Sequence, residues 1–61
     1  MPTIHIYLYE GRTTDQKREL AMAFTEDVEK IVGSPPSATQ VIFHDTSQSD
    51  WAYGGVLASD D

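Results

Sequence analysis

TIHIYLYEGRTTDQKREL, residues 3–20, changes its period halfway along, and that change decides the fold. Up to Tyr9, the residues Ile4, Ile6 and Leu8 alternate with Thr3, His5, Tyr7 and Tyr9. A period of two, rich in β-branched and aromatic side chains, predicts a strand over residues 3–9. Its second face is aromatic rather than charged, so both faces are expected to be covered, one of them by another subunit. Glu10-Gly11-Arg12 then breaks the alternation. Thr13 and Gln16 form a T-x-x-Q capping box, in which hydroxyl and amide satisfy orphan backbone donors at a helix start. Asp15 follows in the first turn, where the helix dipole favours negative charge.

Downstream, Leu20, Phe24, Val28, Ile31 and Val32 recur at steps of four, four, three and one, which places them on one helical stripe. Gly33 is a C-terminal stop, and Ser34-Pro35-Pro36 prevents continuation. TQVIFH, residues 39–44, reads as a second strand. Strand, helix of about five turns and strand make a βαβ unit, with parallel strands and a right-handed crossover. After Asp45 a polar turn is expected over residues 46–50. Trp51-Ala52-Tyr53, Gly54-Gly55 and Val56-Leu57-Ala58 then suggest a tight hairpin. A lone hairpin is barely stable in water, so this tail is expected to pack on a neighbouring subunit. The fold class is therefore α+β: a single β-α-β unit with a C-terminal hairpin, forming one domain over residues 1–61. Asp60 and Asp61 are expected to end it as a solvated, frayed tail.

Size and charge narrow the possibilities. A chain of 61 residues buries only about 60% of its unfolded surface and is marginal alone. Such scaffolds are usually held by disulfides, a metal or oligomerisation. There are no cysteines, and His5 and His44 lack a third ligand at a sensible spacing, so no metal site is expected. Oligomerisation remains. Four basic against ten acidic residues give a net charge of −6, which argues against nucleic acid and anionic membranes as partners. No apolar stretch has the length of a signal core or a bilayer span, so a cytoplasmic protein is expected. His5, His44, Tyr7, Tyr9 and Tyr53 read as strand, interface or core residues rather than as catalytic groups.

Pro2 stands at the head of the first strand, a position where no ladder donor is needed. Removal of Met1 would also make it a free secondary amine. Pro2, the run I-H-I-Y-L-Y-E-G-R, the continuation T-T-D-Q-K-R-E-L and the late W-A-Y-G-G-V-L-A-S together resemble the 4-oxalocrotonate tautomerase family. The resemblance covers almost the whole chain. It implies a β-α-β fold with a terminal hairpin, assembled as a homohexamer built from dimers, and an isomerase that needs no cofactor. It also implies that Pro2 is the catalytic general base once Met1 is removed.

Physical chemistry is consistent with that role. Burial in an apolar pocket disfavours a charged amine and provides free base near neutral pH. Ile4, and Leu8 and Trp51 if strand and tail fold back, are candidate walls. By the same resemblance Arg12 binds a carboxylate or 2-keto oxygens in a forked, charge-assisted contact and steadies a dienolate. Trp51 stands where close relatives place a phenylalanine that walls the proline pocket. Gln40 stands where the best-known relatives carry a second arginine for the substrate's far carboxylate. An amide brings no charge, so a dicarboxylate such as 2-hydroxymuconate should be held less well, with a shift towards monoacids such as phenylenolpyruvate. Lys17, Arg18 and Lys30, the other cations, fall on the helix and are expected to face solvent.

The leading reading is proton transfer between enol and keto forms of a 2-keto acid, with Pro2 as base and Arg12, Gln40 and Trp51 at the substrate. A second is a non-catalytic or half-competent subunit of a mixed oligomer, motivated by Gln40. A 3-haloacrylate dehalogenase ranks lower, because Tyr9 stands where such enzymes carry a further arginine and no carboxylate matches their water activator. A plain ligand-binding module would bind enolate mimics without turnover.

Overall fold

In the computed structural model, which describes residues 2–60, the period change at Gly11 is a change of element. Strand β1 (Thr3–Tyr9) is followed by helix α1 (Thr14–Val32) and strand β2 (Gln40–Thr46). A short hairpin, β3 (Ala52–Tyr53) and β4 (Val56–Leu57), comes next, and single 3-10 turns lie at Pro36–Ala38, Gln48–Asp50 and Ala58–Asp60. Asp60 thus closes the last of these turns, while Met1 and Asp61, and with them the removal of Met1 and the very end of the frayed tail, lie outside the described residues.

The capping box forms as expected: the Gln16 amide donates to Thr13 Oγ1 at 3.1 Å, and the Thr13 amide donates to Gln16 Oε1 at 2.9 Å. At the other end the Gly33 N–H donates to the carbonyls of Glu29 and Val28. β1 and β2 pair in parallel, from Thr3 beside Gln40 to Tyr9 beside Thr46. β2 begins and ends later than the expected 39–44. The Thr39 amide closes the 3-10 turn by donating to Pro36, whereas Asp45 and Thr46 still find partners in Leu8 and Tyr9. The expected polar turn correspondingly shrinks to residues 48–50, with Ser47 Oγ accepting from the Ser49 amide. Gly54 and Gly55, at φ +57° and +85°, make a two-residue turn with both central residues left-handed, the arrangement that suits strand twist and that glycine adopts without strain.

Alternation assigns the two sheet faces. Ile4, Ile6, Leu8, Val41 and Phe43 are half-buried on one face, beneath α1. An ion pair between Lys17 on α1 and Asp45 on β2, at 2.7 Å, ties helix to sheet on that side. The opposite face carries Thr3, His5, Tyr7, Gln40 and Ile42, all exposed. Of the expected helical stripe, Leu20, Phe24 and Val28 are half-buried, but Ile31 and Val32 are exposed. The reason is length: nineteen helical residues span about 28 Å, whereas seven strand residues span about 23 Å.

None of the described residues is fully buried. The radius of gyration is 14.6 Å, against about 10.5 Å for a compact chain of this length. One helix on two strands makes a slab 14 Å thick with one sheet face open. Among the described residues, no helix is long and apolar enough to cross a membrane.

Candidate active site

The four candidate residues fall into two pairs. Pro2, half-buried, immediately precedes β1, and its carbonyl accepts a 2.9 Å hydrogen bond from the Gln40 amide at the start of β2. The Thr3 hydroxyl donates to Gln40 Oε1 at 3.4 Å, so the Gln40 side chain lies on the open sheet face beside the amino-terminal residue. Parallel pairing is the cause: both strands begin at the same end, so the residue before β1 and the first residue of β2 must be neighbours.

Arg12 and Trp51 occupy the other end. Gly11, at φ +116°, turns the chain out of β1 in a conformation that favours glycine, and Arg12 follows it into the connection to α1. Trp51 leads into the hairpin and meets Tyr9, the last residue of β1, edge to face at a ring separation of 5.2 Å. Arg12 lines a cleft of about 250 Å³ with Tyr7, Leu8, Tyr9, Trp51 and Tyr53. It makes no hydrogen bond or ion pair with any described residue. Arg12 is an exposed residue, and a guanidinium with no such partner is available to an anion.

Roughly 20 Å of β1 separates these two pairs. Leu8 and Trp51, expected as walls around Pro2, are therefore placed with Arg12 of the same chain and not with Pro2. No single ligand of ordinary size touches both ends of one protomer.

Two of the remaining cations are engaged elsewhere, and Lys30 lies in the last turn of α1. Lys17 holds Asp45, and Arg18 pairs with Asp15 one turn away on α1. From sequence, Tyr9 and Tyr53 read as interface or core aromatics, with Tyr9 able to line the pocket; both line the cleft around Arg12. The available signal was the register, because the last residue of β1 has to sit where the chain leaves β2 for the hairpin. His5 and His44, read as strand residues with ordinary partners, prove to be partners of each other, with Nδ1 and Nε2 2.8 Å apart.

Comparison with known proteins agrees with this architecture. The family model described as tautomerase enzyme matches residues 2–61. A probable tautomerase of Lactococcus lactis is 44% identical over 57 residues, covering 93% of each chain. The crystal structure of a 4-oxalocrotonate tautomerase homologue superposes with a TM-score of 0.91 at 38% identity, over 100% of this chain and 97% of the other. A heterohexamer 4-oxalocrotonate tautomerase from Chloroflexus aurantiacus superposes at 0.88 with 28% identity, over 98% and 97%.

Proposed function

This chain belongs to the tautomerase enzyme family, and we propose that it interconverts enol and keto forms of a 2-keto acid at a site shared between protomers. The observation that carries the proposal is the division of the candidate residues between the two ends of β1 in a protomer none of whose described residues is fully buried. A chain that must associate to bury its open face also has to associate to unite a base with an anion site.

In the proposed reaction, Pro2 becomes a free secondary amine when Met1 is removed. Its nitrogen lone pair takes the proton from the enol hydroxyl of the bound acid. The electrons of the O–H bond form the 2-keto carbonyl, and negative charge spreads along the conjugated carbons. The prolinium N–H then returns that proton to carbon, leaving the keto isomer and a neutral amine. An apolar surrounding would favour the neutral amine between turnovers. Arg12 of the partner binds the carboxylate and offsets charge developing on the dienolate through charge-assisted hydrogen bonds. Trp51 excludes water, and Gln40 hydrogen-bonds the end of the substrate nearest Pro2. The assembly is a homohexamer arranged as a trimer of dimers.

Intact mass of the purified protein, followed by ketonisation assays on 2-hydroxymuconate and phenylenolpyruvate, tests this. Loss of Met1 with turnover that disappears in Pro2→Ala supports the proline base, whereas full turnover in that variant removes it. Gln40 motivates a second reading, in which a different chain supplies a cation at that position in a mixed oligomer. Heteromeric assembly is on record for the Chloroflexus aurantiacus protein. An active hexamer of this chain alone would exclude that second reading.

A further inference from the structure

Arg12 lies at the boundary of two clefts. One is the aromatic cleft that it lines with Leu8, Tyr9 and Trp51. The other, of about 370 Å³, runs along α1 and is lined by Gln16, Glu19, Leu20 and Ala23 besides Arg12. The Arg12 guanidinium bonds to no described residue, so its own contacts do not choose between an incoming anion and the Glu19 carboxylate.

What fixes Arg12 is the backbone that carries it. The connection from β1 to α1 is pinned to the sheet at both ends. At one end the Glu10 amide donates to the Thr46 carbonyl at 3.0 Å. At the other, Lys17 Nζ donates to Asp45 Oδ2 at 2.7 Å. Asp45 and Thr46 are consecutive residues at the end of β2, so residues 10–17 form a loop anchored at both ends to one short stretch of strand. Within the loop the capping box joins Thr13 to Gln16, and the Lys17 amide donates to the Thr13 carbonyl at 3.1 Å. Lys17 is thus tied through the first helical turn to the residue that follows Arg12. The same stretch of β2 sets the opposite wall. Leu8 lies beside Asp45 in the register, and Trp51 follows Thr46 through the turn at Gln48–Asp50.

The ion pair is partly solvated, and pairs of that kind add little to stability. Its effect is geometric: it stops the first turn of α1 from lifting off β2, and a group already held in place loses less freedom when a ligand binds. We infer that Lys17 and Asp45 are positioning residues for Arg12, holding the start of α1 against the end of β2 so that the guanidinium serves the aromatic cleft rather than Glu19. The inference rests on Arg12 as the anion-binding residue of the proposed reaction, but it concerns binding and is measured without turnover.

The experiment is a fluorescence titration of the full-length protein with hexanoate, an unreactive acid. Trp51 is the chain's single tryptophan and lines the cleft, so it reports the binding. Lys17→Met and Asp45→Ala should each weaken hexanoate binding about three- to tenfold. The sign for Asp45→Ala is decisive, because removing a negative charge would tighten an anion if the pair acted through charge alone. In an Arg12→Gln background, Lys17→Met should change the residual affinity by less than about twofold. A general loosening of the fold would weaken binding in both backgrounds. Tighter binding by Asp45→Ala, wild-type affinity in Lys17→Met, additive effects in the double variant, or a wild type that binds no hexanoate or binds it indifferently to Arg12→Gln would each overturn the inference. The two proposals fail separately. The expected binding pattern in a protein that turns over no enol acid removes the proton-transfer reading and leaves this one. Turnover by the wild type with unchanged affinity in Lys17→Met does the reverse.

Discussion

His5 Nδ1 and His44 Nε2 lie 2.8 Å apart on the open face of the sheet, joined across β1 and β2 by one shared hydrogen. Tyr7 stacks on the His44 ring at 4.3 Å. An N–H···N bond needs a donor on one ring and an acceptor on the other, so the two imidazoles hold complementary tautomers. The other residues alternating onto this face, Thr3, Tyr9, Gln40, Ile42 and Thr46, are uncharged, while Asp45 points to the helix side, where it holds Lys17.

Breaking the pair should loosen an assembly built on this face. In the double variant His5→Ala, His44→Ala, sedimentation velocity at fixed protomer concentration is expected to show smaller species than the wild type. An unchanged distribution would show that other contacts control association.

Separation of the candidate residues along β1 predicts complementation. Pro2→Ala and Arg12→Ala should each be inactive alone. Refolded together in equal amounts, they should recover about a quarter of the wild-type sites, because half of random two-fold pairs are mixed and each mixed pair restores one site of two. No recovery in mixtures shown by mass spectrometry to contain both chains would place the whole site in one protomer.

The capping box should account for a measurable part of helix stability. Thr13→Ala removes the acceptor for the Gln16 amide and should cost about 1 kcal/mol. The change is read as a lower Tm at fixed protomer concentration, since association makes Tm concentration-dependent. A Tm equal to that of the wild type would mean that packing alone holds the first turn.

Lys17→Met should have a small effect on stability. The Lys17–Asp45 pair is short, but its side chains are 25% and 43% exposed, and partly solvated pairs of this kind contribute about 0–1 kcal/mol. A larger loss in denaturant unfolding would mean that association buries the pair further.

Both ends of β1 and the start of α1 were legible because their signals are local. Alternation through Tyr9, the box at Thr13 and Gln16, and the glycine stop at Gly33 each act within a few residues, and each is observed. The end of β2 was not legible: Asp45 and Thr46 belong to the strand only because Leu8 and Tyr9 lie beside them. The exposure of Ile31 and Val32 was hidden for a similar reason, since it follows from the unequal lengths of a helix and the strands beneath it.

The site divides in the same way. From sequence come the identity of its candidate residues, the lack of charge at Gln40 and the need for association in a cysteine-free chain of this length. Only tertiary structure decided which of them meet. Parallel pairing puts Pro2 beside Gln40, and the rise of a seven-residue strand carries Arg12 and Trp51 to the far end. It also joined His5 to His44 across 39 residues of chain. Local patterns act through neighbouring backbone and so can be read along the chain, whereas such distances are set by strand direction, register and length acting together.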